Sequence, residues 1–87
     1  MFELSVSFEL EASDELLTVS REVTELMPEN SLVGCGASIG LYPIERDIQF
    51  EFFSRELARN HQAKFLAWAK KNGRENVTVG VQEVSEN

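Results

Sequence analysis

The chain has 87 residues, 43% of them hydrophobic, and a formal net charge of −7, which fits one domain over residues 1–87 with one modest core. A chain this short buries roughly 60–65% of the surface its unfolded form exposes, leaving no room for a buried catalytic centre beside a cofactor domain. The acidic balance argues against a general coat for DNA or RNA, because backbone binding needs many Lys and Arg to displace counterions.

One cysteine excludes an internal disulfide. No charged segment followed by an apolar run opens the sequence, and no run approaches about 20 apolar residues. A soluble, cytoplasmic protein with no membrane partner is therefore expected. Only residues 85–87 read as a disordered end.

Residues 2–11, FELSVSFELE, alternate without a break. Phe2, Leu4, Val6, Phe8 and Leu10 share one face, and Glu3, Ser5, Ser7, Glu9 and Glu11 the other. That pattern predicts a half-buried strand with one wet side. Ser13 then reads as an N-cap before Asp14 and Glu15, and Leu16, Val19, Val23, Leu26 and Met27 recur at helical spacing. A helix is predicted over residues 14–27, ended by a turn at Pro28-Glu29-Asn30.

The stretch VGCGASIG, residues 33–40, looks at first like a phosphate loop. Its spacing is G-x-G-x-x-x-G, no Gly-Lys-Ser/Thr follows, and the next element reads as a strand rather than a helix, so nucleotide cradling is not expected. Period two fits better. Val33, Cys35, Ala37, Ile39 and Leu41 share one face, and Gly34, Gly36, Ser38 and Gly40 the other. The first set is expected to pack under the helices, which makes Cys35 a small core residue. The second set leaves a ribbon of bare backbone on the outside. Such a row marks either a bulge or the close approach of a partner or ligand, and the pattern leaves both open.

Pro43 signals a hairpin loop near residues 43–46, and Ile48, Phe50 and Phe52 continue as a strand. Ser54 caps a second helix with Leu57, His61, Phe65 and Trp68 in one stripe. Gly73 stops it after Lys70 and Lys71. Val77, Val79 and Val81 alternate as a last strand. The order β-α-β-β-α-β predicts an α+β, ferredoxin-like two-layer sandwich: a four-stranded antiparallel sheet with both helices on one face.

Catalytic and metal chemistry find little support. A Cys35–His61 contact across the sandwich is conceivable, but no third orienting group is evident, and a hydrogen-bonded, half-buried His61 is the plainer expectation. One Cys and one His do not make a structural zinc site. Asp14-Glu15 and Glu45-Arg46-Asp47 lack calcium-loop spacing and read as a helix start and a solvated turn. No cofactor is expected. The stacking aromatics of RNA-recognition sheets are missing, since the predicted open faces carry Ser5, Ser7, Gln49 and Glu51. Phe53 is the one aromatic candidate, and it is also placed to staple the second helix.

Charge is unevenly spread. Residues 1–54 hold eleven acids and two bases, whereas residues 55–74 hold six bases and one acid. The basic block, Arg55, Arg59, Lys64, Lys70, Lys71 and Arg74, reads as a solvated helix face or a docking patch for an anionic surface such as structured RNA.

Three stretches carry a family resemblance: FELSVSF (2–8), the run from Pro28-Glu29-Asn30 through Leu32 to Gly34 and Gly36, and HQAKFLAWAKK (61–71). In order and spacing they resemble the YggL family of small ribosome-associated proteins, whose plan residues 2–84 can follow. The family commonly has a basic tail before the first strand and an aromatic-rich last strand. Here the sequence starts at Met1-Phe2 and closes Val-Gln-Glu-Val-Ser-Glu-Asn. The resemblance implies a non-enzymatic protein bound to the large ribosomal subunit, and it carries over no binding residue. Two other functions fit the composition. One is a small acidic regulator, such as a phage-type inhibitor, occupying a basic nucleic-acid-binding groove of a partner protein. The other is a ligand-sensing domain that forms a homodimer through the glycine ribbon. The candidate partner-binding residues are Gly34, Gly36, Ser38, Gly40, Arg55, Arg59, Lys64, Lys70 and Lys71.

Overall fold

The computed structural model describes residues 1–38 and 40–84. Ile39, expected to point inward, and residues 85–87, expected to be disordered, lie outside the described residues. The elements are β1 (Phe2–Leu10), α1 (Leu16–Glu25), β2 (Leu32–Ala37), β3 (Ile44–Phe52), α2 (Arg55–Lys71) and β4 (Val77–Glu83). The strands form one sheet in the order β2-β3-β1-β4, with every neighbouring pair antiparallel. This is the predicted α+β, ferredoxin-like topology.

Alternation in β1 and β3 sorts the two faces as the sequence implies. Leu4, Val6, Phe8 and Leu10 of β1 and Ile48, Phe50 and Phe52 of β3 are buried under the helices with Val19, Val23, Phe65 and Trp68. Phe8 sits at the centre, with its ring centroid 6.1 Å from Phe65 and 5.6 Å from Trp68. The other face of the sheet carries no helix.

α2 begins and ends on local signals. Ser54 Oγ accepts from the Leu57 N–H at 3.1 Å, the predicted cap. At the other end Gly73 takes φ +67°, with the Gly73 N–H bonding the Lys70 carbonyl and the Arg74 N–H the Ala69 carbonyl. This is a Schellman turn, and its left-handed residue is where glycine avoids the Cβ penalty. The turn folds Arg74 back over the Trp68 ring, 5.2 Å from the centroid. Arg74 thus leaves the basic block: it pairs with Asp14 at 3.1 Å and donates to the Glu9 carbonyl at 3.1 Å.

α1 departs from its predicted start. Glu15, without a side-chain bond, occupies the N-cap in place of Ser13. Asp14 is drawn instead to Arg74 and to the Glu11 N–H, which donates to it at 2.8 Å. Past the helix, Ser31 closes the predicted Pro28 turn by donating through both its N–H and its hydroxyl to the Pro28 carbonyl.

The largest difference concerns β2. It ends at Ala37 rather than near Leu41, because Gly40 turns the chain at φ +136° and Ser38 closes the hairpin against Glu45. Leu41 is 94% exposed. Glu45, Arg46 and Asp47, read as a solvated turn, are strand residues of β3. Among the described residues, no helix is long and apolar enough to cross a membrane.

Candidate functional site

The helix-free face of the sheet concentrates one sign of charge. Odd positions of β1 and β3 face it, and register sets them opposite each other: Glu3 against Glu51, Ser5 against Gln49, Ser7 against Asp47, Glu9 against Glu45. β4 adds Thr78, Gly80 and Gln82, which are paired with Ser7, Ser5 and Glu3. The face therefore presents Glu3, Glu9, Glu45, Asp47 and Glu51 and no base. Its carboxylates are held by neutral donors: Ser5 Oγ to Glu3, Ser7 Oγ to Glu45 at 2.9 Å, Asn76 Nδ2 to Glu9. Among the described residues the one ion pair is Arg74–Asp14, at the end of the sheet.

Like charges directly opposite destabilise an antiparallel pair by a few tenths of a kcal/mol up to about 1 kcal/mol. Glu3–Glu51 and Glu9–Glu45 are two such pairs in adjacent strands. The signal for this face was present in the alternation of FELSVSFEL and IERDIQFEF. That alternation places Glu3, Glu9 and Glu51 on open strand faces; what the sequence reading leaves out are Glu45 and Asp47, read as a solvated turn, and the register that sets the carboxylates opposite each other.

The glycine row borders this face. A Cβ on Gly34 would lie 2.9 Å from Gln49 Oε1, and one on Gly36 would lie 3.3 Å from both carboxylate oxygens of Asp47. Gln49 and Asp47 lean from β3 across the glycines, joined by a 3.0 Å bond from Gln49 Nε2 to Asp47. The ribbon is thus roofed in part by acceptor groups. A register shift between Leu32 and Gly34 also places a bulge in β2, one of the two alternatives left open by the pattern. Ser38 and Gly40 are exposed in the hairpin loop.

Cys35 corrects the sequence reading. It pairs with Ile48 and so lies on the helix side as expected, yet it is exposed. β2 is an edge strand, and the packing of α2 falls on β1, β3 and β4. Val33, at 50% exposure, shares this fate. His61 meets its expectation: half-buried, stacked on Phe52 at 4.9 Å, its Nδ1–H donating to the Leu57 carbonyl at 2.8 Å. Cys35 and His61 are not brought together. Their β3 neighbours, Ile48 and Phe52, are four residues apart, roughly 13 Å along a strand.

Arg55, Arg59, Lys64, Lys70 and Lys71 are all exposed on α2. Arg55 is partly engaged, its guanidinium 5.3 Å above the Phe2 ring. The other four form a solvated basic face on the side of the molecule opposite the acidic sheet. Phe53 does not staple the helix: it is 86% exposed. With Met1, Pro28, Val33, Phe52 and Leu57 it lines an apolar groove of about 370 Å³ beside the start of β2, which the sequence did not suggest. Among the described residues no three His, Cys, Asp or Glu side chains are grouped to hold a metal ion.

The arrangement belongs to the ferredoxin-like α+β class. Solved structures that share it include the following three. The de novo designed protein Foldit4 superposes with a TM-score of 0.77 at 12% identity, covering 97% of this chain and 98% of its own. Protein Atu4242 from Agrobacterium tumefaciens gives 0.64 at 20% identity, covering 99% and 95%. A protein from Deinococcus radiodurans, provisionally described as an antibiotic biosynthesis monooxygenase, gives 0.58 at 14% identity, covering 100% and 95%. At these identities the likeness is one of fold. No family model and no curated protein matches the chain.

Proposed function

We propose that this protein is a non-enzymatic binding protein whose helix-free sheet face docks a basic, nucleic-acid-binding surface of a partner protein, as a small acidic regulator would. One observation carries the reading: five carboxylates, two pairs of them directly opposed, share a face without a single cation. Such a face costs folding stability and focuses a negative field, and a basic groove on a partner relieves both. The same sign disfavours a sheet-on-sheet homodimer, which would set carboxylates against carboxylates.

Affinity capture from native cells followed by mass spectrometry tests the reading. The doubly reversed Glu9→Lys, Glu51→Lys variant is expected to lose the basic proteins that the wild type retains. It is also expected to be slightly more stable than the wild type, since both opposed pairs become opposite-charge pairs. Unchanged capture by that variant would overturn the reading.

A second reading has its own support in four exposed cations, Arg59, Lys64, Lys70 and Lys71, which make no ion pair among the described residues and fit the large-ribosomal-subunit partner implied by the YggL resemblance. It requires a 50S-associated fraction in co-sedimentation that Arg59→Glu with Lys71→Glu reduces and the sheet-face variant does not.

A further inference from the structure

β2 is paired on one side only. The Ser38 N–H bonds the Glu45 carbonyl of β3 at 2.8 Å. Strand alternation then turns the backbone groups of Gly34 and Gly36 toward β3 and those of Cys35 and Ala37 away from the sheet. No described side chain bonds these outward groups. From Leu32 to Ser38 the chain has no charged residue and no proline, the usual guards of an open edge. The bulge lies before residues 34–37, which pair with β3 in unbroken register.

Resting on the reading of the acidic face above, we propose that this edge takes up an extended segment of the partner as a fifth strand, with Lys or Arg at the two positions opposite Gly34 and Gly36. Side chains at those positions stand on the acidic face. Gly34 and Gly36 have no side chains of their own, so Gln49 Oε1 and the Asp47 carboxylate lie directly over them. A long cationic side chain on the added strand, about 5 Å away, reaches these acceptors. Main-chain bonds to Cys35 and Ala37 supply attachment, and the cations supply selection. Antiparallel addition carries the segment from Ala37 toward Leu32. An apolar residue following the basic pair then reaches the groove beside Val33 and Phe53.

Charge selects this occupant over a second copy of the chain. Pairing β2 with β2 brings no cation to Asp47 and joins two molecules of net charge −7. It would appear as a dimer in sedimentation, an outcome that overturns the proposal.

The probe is the peptide acetyl-Thr-Val-Arg-Val-Arg-Val-Thr-amide, with a Glu-for-Arg peptide as control, read by calorimetry and amide chemical shifts. The arginine peptide is expected to bind and to shift the Cys35 and Ala37 amides, and the glutamate peptide to do neither. Ala37→Pro removes an outward N–H without touching a bond to β3. Gly36→Val puts a side chain where the Asp47 carboxylate lies over the glycine, and its Cβ meets only the movable end of Asp47. Each is expected to weaken the arginine peptide about tenfold or more with the melting temperature held, and the pair guards against misfolding of either one. Undiminished binding in both variants, or no binding by the wild type, overturns the proposal. Partner capture separates the two levels. If Glu9→Lys, Glu51→Lys loses the partner while Ala37→Pro and Gly36→Val keep it, the face docks without strand addition and only the edge proposal falls. If the reversed face keeps the partner, the reading beneath it falls as well.

Discussion

Replacing Phe8 with alanine is expected to lower the free energy of unfolding by about 3–5 kcal/mol. Phe8 is fully buried, touches Phe65 and Trp68 with its ring, and has the Arg74 guanidinium 6.0 Å from its centroid. Its removal empties a place where β1, α2 and Arg74, just after α2, converge. A domain of this length has roughly 4–13 kcal/mol in total, so the variant should sit near the edge of folding. Urea unfolding followed by far-UV circular dichroism measures the loss. Phe8→Leu, which keeps most of the volume, should cost far less. A loss below about 1 kcal/mol for alanine would show that the core is not centred where the structure places it.

Arg74→Ala is expected to cost about 2–3 kcal/mol, combining lost charge-assisted hydrogen bonds with lost packing on Trp68. The pair is worth more than a surface bridge because its side chains are only 16% and 21% exposed. The loss should also depend on pH. Hydrogen bonding from Arg74, and next the Glu11 backbone N–H, hold the Asp14 carboxyl below its ordinary value. A depressed carboxyl stabilises the fold above its unfolded pKa, about 4, and that contribution disappears as pH falls through the lower folded value. The gap between wild type and Arg74→Ala should therefore be full at neutral pH and narrow under acid conditions. A gap independent of pH would mean that Arg74 acts through packing alone.

Arg74 also shows where sequence reasoning stops. Its place in a six-residue basic block predicts a solvated face or a docking patch, yet its partner is Asp14, sixty positions away. Spacing along a helix says nothing about a contact made across the fold. The four strands, both helices, the Ser54 cap and the Gly73 stop were legible because each rests on a local pattern. β2 was legible in part. Alternation placed Cys35 on the correct side of the sheet, but a period of two reports which side a residue takes, not whether anything covers that side. Coverage came from the helix layer, which stops short of the sheet's edge. The acidic face was readable in principle, because Glu3, Glu9, Glu45, Asp47 and Glu51 occupy odd positions of two strands. It required knowing that β1 lies next to β3, a fact of topology and not of either strand.

The directly opposed carboxylates have a further consequence for ionic strength. Mobile cations screen exposed charges beyond about 10 Å at 0.1 M and weaken their repulsion at closer range. Added sodium chloride should thus raise the melting temperature of the isolated protein while loosening any complex held by its sheet face. Fold and association would respond to the same ions in opposite directions, which a salt titration of the free and the bound protein reads directly.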